Sequence, residues 1–180
     1  MKTENNPRIY CGTYSQYNNG SLFGKWFDLT DYNSLEELYK AFSKYHKKEN
    51  DPEFMFQDWE NIPNKLIGES WLHDEIFDYI EFINNDSFGV DIDSELFMKY
   101  WNDTNSSGEL SEVIESFKDN YLGCYDSFQD YADEIADNDL AIYKVPEFLL
   151  YHFDYKSYAD EIKGGYHVIE LNYDSHIFQA

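Results

Sequence analysis

The hydrophobic pattern of the chain switches repeatedly between a period of two and a period near 3.6, and each switch predicts a change of element. Residues 8–14, Arg-Ile-Tyr-Cys-Gly-Thr-Tyr, are a β-rich run. Asn19-Gly20 is a strong hairpin signal, and residues 22–29 read as the returning strand. Residues 31–48 predict a helix: Leu35, Leu38, Phe42 and Tyr45 share one face, and Ser34 with Glu37 forms a capping box at its start. Residues 53–59 alternate as a third strand, and Pro63 ends the region.

Residues 71–84 predict a second helix, with Leu72, Ile76, Phe77, Ile80 and Ile83 on one side and Asp74, Glu75, Asp78 and Glu81 on the other. Residues 85–89 break it. Residues 94–102 predict a short helix with Leu96, Phe97, Tyr100 and Trp101 as its apolar set, and Asn105-Ser106-Ser107-Gly108 reads as a linker or helix start. A helix over 109–120 turns Leu110, Val113, Ile114 and Phe117 inward and Glu109, Glu112, Glu115 and Asp119 outward. A strand follows over 121–125, then a helix over 127–136 capped by Ser127, with Asp130, Asp133, Glu134 and Asp137 as its outer set. Pro146 opens a short helix. Residues 154–163 predict another, stopped by Gly164-Gly165; residues 166–173 alternate as a strand, and 174–176 form a last short one. The fold class is α+β with small antiparallel sheets and acidic helices.

Charge sharpens this picture. The chain of 180 residues carries 36 acids against 13 bases, a formal net charge of −23. Residues 1–61 hold ten acids and seven bases, residues 62–105 ten and two, and residues 106–180 sixteen and four. These steps predict three small domains: an N-terminal α+β domain over 1–61, a central helical domain over 62–105 and a C-terminal α+β domain over 106–180. Between residues 69 and 139 there are twenty acids and only two bases, Lys99 and Lys118. Carboxylates there are interleaved with Trp71, Ile76, Phe77, Ile80, Phe117, Phe128 and Tyr131, so the stretch has the means to build a core and is no disordered acidic tail. The candidate surface is Glu69, Asp74, Glu75, Asp78, Glu81, Asp86, Asp91, Asp93, Glu95, Asp103, Glu109, Glu112, Glu115, Asp119, Asp126, Asp130, Asp133, Glu134 and Asp137.

A charge run on one helix is ordinarily a solvated face. Like charges at i,i+4, however, destabilise a helix by about 0.2–0.5 kcal/mol per pair, and lysines at those positions would turn the loss into a gain. Their absence from three helices points to a surface kept negative for a partner. Nucleic acid and anionic membranes are excluded as direct ligands, since both require Lys and Arg. A basic protein surface that itself holds polyanions is the natural counterpart.

Catalytic chemistry finds little support. His73 beside Asp74 and Glu75 is the best single acid–base candidate, but a surface histidine is the plainer reading, and no nucleophile elbow, phosphate loop or metal-ligand spacing is present. Asp91-Ile92-Asp93-Ser94-Glu95 begins like a calcium loop, yet Leu96 stands where the loop needs glycine and Asn102 where it needs glutamate. No metal, cofactor or enzymatic activity is expected. Cys11 and Cys124 are expected as small buried thiols rather than a bridge. The polar N-terminus has no signal-peptide h-region and no apolar run reaches membrane-spanning length, so a cytoplasmic protein is expected.

The run Pro7-Arg8-Ile9-Tyr10-Cys11-Gly12-Thr13-Tyr14, followed by Tyr17-Asn18-Asn19-Gly20 and Gly24-Lys25-Trp26, resembles the opening of the ArdA antirestriction proteins. Near the other end, Val145-Pro146-Glu147-Phe148-Leu149-Leu150-Tyr151-His152-Phe153-Asp154-Tyr155-Lys156-Ser157-Tyr158-Ala159 looks like that family's antirestriction motif. One departure stands at Ala159-Asp160-Glu161, where family members often carry a Gly-Arg-Asp-like sequence. The resemblance implies an elongated row of three small domains, carried on mobile elements and dimerising through the C-terminal domain. It also implies acidic helices that mimic bent DNA and occupy the DNA-binding groove of type I restriction-modification enzymes. Val145, Pro146, Phe148, Leu149, Tyr151, Phe153, Tyr155 and Tyr158 are then motif and homodimer residues, read as core or dimer contacts. The residues themselves also leave open an acidic module that binds another basic DNA-binding protein.

Overall fold

A computed structural model of the chain describes residues 6–84, 93–104 and 108–180. It is a mixed α+β protein with small antiparallel sheets and, among the described residues, eight α-helices. The chain packs as two compact units, Met1–Met98 and Lys99–Ala180. The predicted break at 85–89, the linker at 105–107, Asp86 and Asp91 lie outside the described residues.

The first unit is built on a three-stranded sheet of order β2-β1-β3, with β1 (Arg8–Thr13) between β2 (Lys25–Asp28) and β3 (Phe54–Glu60). Helix α2 (Leu35–Tyr45) covers it. The Ser34 side chain accepts from the Glu37 amide at 3.3 Å as expected, and Glu37 in turn accepts from the Asn33 amide at 3.0 Å, so only the return bond of the capping box falls one residue out of register. Phe42 of α2 is fully buried with its ring 4.8 Å from Phe27 and 5.7 Å from Phe56. Asn19-Gly20 does not make a two-residue hairpin. The chain first winds into helix α1 (Tyr14–Asn18), capped by the Thr13 side chain, and Gly20 at φ +77° closes that helix instead.

Residues 71–84 also differ from expectation. Trp71–Leu72 is strand β5, paired with β4 (Ile67–Gly68), and helix α3 runs only over Ile76–Ile83. Leu72 and Ile76 are four apart and satisfy a helical pattern by coincidence; the ladder partner that extends residues 71–72 is out of reach of any local pattern. Tyr79 and Phe82 of α3 meet Phe97 of α4 (Ser94–Asp103) at 5.8 and 5.0 Å between ring centroids. The Tyr79 hydroxyl, inside this cluster, donates to the Asn61 carbonyl at 3.0 Å.

The second unit sandwiches a sheet between two pairs of helices. Its strands are β6 (Tyr121–Tyr125), β7 (Tyr166–Leu171) and β8 (Asp174–Gln179), in the order β6-β8-β7. Successive residues of β8 point to opposite faces. Phe178 meets Tyr100 of α4 and Phe117 of α5 (Leu110–Asn120) at 4.6 and 5.1 Å. Ile177 packs with Phe128, Tyr131 and Ala132 of α6 (Phe128–Ile142) and Ala159 of α8 (Tyr155–Ile162). A strand buried on both faces explains why β8 is a full six-residue central strand rather than the short final one expected. Helix α6 runs six residues past its predicted end, and α7 (Glu147–Leu150) follows.

Phe178 is the residue on which one face of this sandwich closes. Replacing Phe178 with Ala is expected to cost about 3–5 kcal/mol, seen as a lower urea midpoint for loss of the second unit's aromatic circular dichroism.

Candidate functional site

Seventeen of the nineteen carboxylates of the candidate surface lie in described residues, and none is buried. Glu75, Asp93 and Asp133 are half-buried; the other fourteen are exposed. Within the first unit, Asp78 and Glu81 stand on α3, while Asp74 and Glu75 precede it rather than extending its stripe. The His73 ring accepts from the Glu75 amide at 3.3 Å and lies half-exposed on the same bend, held by its neighbours rather than set in a reactive cleft.

The second unit holds the longer stripes. Glu109 caps α5, and Glu112, Glu115 and Asp119 recur at three- and four-residue spacing on its exposed side, opposite buried Leu110, Val113 and Phe117. Helix α6 carries five acids: Asp130, Asp133, Glu134, Asp137 and Asp139. Its extension beyond Ala136 adds Asp139 to the set foreseen. Well-formed lysine and arginine pairs lie in the first sixty residues: Arg8 with Glu60 at 2.6 Å and Lys40 with Glu36 at 2.5 Å. Among the described residues no ion pair touches any α6 carboxylate. They are met by neutral donors: Gln129 Nε2 to Asp133 at 2.6 Å, Tyr155 Oη to Asp137 at 2.5 Å, Tyr158 Oη to Asp139 at 3.1 Å, and the Ser127 hydroxyl to Asp130.

These contacts move the tyrosines' titration. The hydrogen bond to Asp137, reinforced by that carboxylate's charge, raises the Tyr155 phenol. Burial and then the bond to Asp139 raise Tyr158. Burial followed by the charge and contact of Glu134 raises Tyr125. Each phenol therefore stays protonated and able to donate.

The motif residues divide. Tyr155 and Tyr158 pack on half-buried Phe153, with ring centroids 4.9 and 5.6 Å away. Val145 is half-buried and Pro146 is the exposed N-cap of α7. Phe148, Leu149 and Tyr151 are exposed, Tyr151 at 83%, so they are no part of this unit's core. Ile142 and Tyr143 at the end of α6 extend the same run of uncovered apolar residues. Cys11 is buried and its thiol pushed up to about 12 by burial. Cys124 is a free, exposed thiol, contrary to expectation; it stands on edge strand β6, which has a neighbouring strand, β8, on one side alone. Among the described residues no cluster of three metal-ligating side chains occurs, and no helix is long and apolar enough to cross a membrane.

The comparison with known families bears directly on the two end motifs. The family described as "Antirestriction protein (ArdA)" matches residues 9–175. The chain belongs to the ArdA family. It is therefore an antirestriction protein by descent, and inhibition of restriction enzymes is the activity that ArdA membership implies. A search of curated proteins returned no significant match.

The donors from α8 in this ArdA chain depend on that helix's own cap. The Asp154 carboxylate accepts from the Ser157 amide at 3.0 Å and its hydroxyl at 2.7 Å, and these bonds hold Asp154 below the ordinary 3.8. A depressed carboxyl stabilises the fold above the unfolded value and loses that contribution as pH falls through the folded one. Carbon-13 NMR is expected to show Asp154 titrating below 3.8 and moving back toward it in Ser157→Ala.

Proposed function

We propose that this ArdA protein inhibits a type I restriction-modification enzyme by DNA mimicry. The exposed carboxylates between residues 69 and 139 stand in for phosphates in the enzyme's DNA-binding groove, and no catalysis is involved. The observation that carries the reading is the pair of acidic stripes on α5 and α6, exposed apart from half-buried Asp133 and Asp139 and spaced mostly three and four residues apart. Along one helix such groups recur every ~5–6 Å. Duplex DNA carries one charge per ~1.7 Å of axis. One helix is too sparse to pass for it, so the reading needs several stripes acting together, and a row of three small domains over 1–61, 62–105 and 106–180 is the proposed way to align them.

Dimerisation doubles the track. We assign the dimer contact to the uncovered apolar run formed by Ile142, Tyr143, Phe148, Leu149 and Tyr151, because large apolar side chains grouped on a soluble surface mark interaction sites. A protein of this charge and this proposed target is read as acting in the cytoplasm, and as carried by the mobile elements that restriction would otherwise destroy.

Two outcomes test the proposal. Purified protein is expected to be displaced from a type I enzyme by duplex DNA, and its inhibition to weaken steeply with added salt. Glu112, Glu115 and Asp119 changed together to Lys are expected to abolish inhibition while circular dichroism stays unchanged, whereas Glu115→Gln alone costs only about two- to threefold, since many screened charges share the work. A folded triple variant that inhibits normally, or binding indifferent to DNA, refutes mimicry. For the dimer, Phe148→Asp with Tyr151→Asp is expected to give a folded monomer in sedimentation; an unchanged dimer refutes the assigned contact.

A further inference from the structure

We propose that the neutral side chains around α6, chiefly Tyr155 and Tyr158, are positioning residues that fix its carboxylates in place for a basic partner while leaving their charge whole. The inference rests on the reading that these carboxylates are the recognition surface, and adds how that surface is made rigid.

A negative surface meant to be recognised faces a conflict. Side chains that swing freely must be frozen on binding, which weakens it. The usual remedy on a helix surface is a lysine or arginine at a neighbouring position, which orients the carboxylate and also cancels it. Helix α6 avoids the cancellation. Four of its acids accept a hydrogen bond from a neutral group, and the fifth, Glu134, faces the Tyr125 phenol. None is ion-paired.

The donors are themselves anchored. Tyr155 and Tyr158 lean on Phe153, and Tyr125 meets Tyr131 edge-on at 5.1 Å. Close approach of the two helices places the hydroxyls: Ala159 of α8 and Ala132 of α6 are both buried in one cluster, where a larger side chain would push α8 outward. The same device occurs independently in the first unit, where the Tyr14 hydroxyl donates to Glu69 at 2.9 Å. Composition agrees, since the chain has seventeen tyrosines and thirteen lysines and arginines. Phenols here do the orienting that basic residues do elsewhere.

The test is Tyr155→Phe with Tyr158→Phe in the full-length protein, which keeps both rings and every charge. Inhibition of a type I enzyme is expected to weaken about tenfold, with the salt dependence of inhibition unchanged because the number of charges is unchanged. Asp137→Asn with Asp139→Asn is the contrast: it is expected to flatten the salt dependence. In parallel, NMR couplings are expected to show Asp137 and Asp139 moving from one side-chain rotamer to an average of several in the phenylalanine variant. Wild-type inhibition by a folded phenylalanine variant overturns the inference. If the wild-type protein itself fails to inhibit, mimicry has failed, and the rotamer measurement alone decides: unchanged Asp137 and Asp139 rotamers then overturn positioning as well.

Discussion

Repulsion among carboxylates is the term that the rest of this molecule has to outweigh. With 36 acids and 13 bases the folded chain concentrates charge that the unfolded chain spreads out, and compaction brings that cost with it. Stability must then come from terms insensitive to charge. Aromatic burial is the largest available. Phe42, Phe56, Tyr79, Phe97, Phe117 and Phe178 are all essentially inaccessible, distributed over both units, and each meets other rings edge-on, tilted or stacked. Rings bury large areas per residue. They leave the outward positions of a helix such as α6 free to be acidic.

The division of labour between the units follows from where the bases are. In the first sixty residues, Arg8 pairs with Glu60 and stacks over Trp26, and Lys40 pairs with Glu36, so that stretch looks like an ordinary soluble surface. On α6 no such pair forms among the described residues. Its acids begin in the first turn, where Asp130 sits favourably at the positive end of the helix dipole, but Asp137 and Asp139 lie toward the negative end. A helix that tolerates Asp there needs a compensating interaction, and the hydroxyls of Tyr155 and Tyr158 supply it from α8. This also explains why α6 continues past Ala136: Asp and Asn are weak in helix interiors because they bond their own backbone, and two of these side chains are instead occupied by the tyrosines.

Much of the fold was legible because it follows from local patterns. The capping serines at 34 and 127, the apolar faces of α2 and α5, and strand β6 are all set by residues near one another in sequence. What was illegible depends on distant partners. Trp71–Leu72 is a strand only because Ile67–Gly68 lies beside it. The β7–β8 hairpin turns on Asn172 and Tyr173, both at positive φ, and a tyrosine in that conformation gives no turn signal. The exposed carboxylates could be read from helical spacing, and every one in a described residue escapes burial. Their neutral donors could not: Tyr155 reaches Asp137 across eighteen residues, and Tyr158 reaches Asp139 across nineteen. The motif reading assigned both tyrosines to core or dimer contacts, and the hydroxyls' own role shows only once α8 is laid against α6.

That placement gives the small residue at 159 a consequence. The resemblance implies glycine where this chain has Ala159, and either residue is small enough for α8 to lie close on Ala132. The requirement at this position is therefore one of space, set by the distance over which a phenol can reach an aspartate on the neighbouring helix. A residue that opened the gap by even an ångström would lengthen bonds now at 2.5 and 3.1 Å, the second of them past the range where it counts as a hydrogen bond. The carboxylates would remain, with the same charge and exposure, but free to rotate. Charge alone is set by composition; charge held at fixed points is set by how closely these two helices pack.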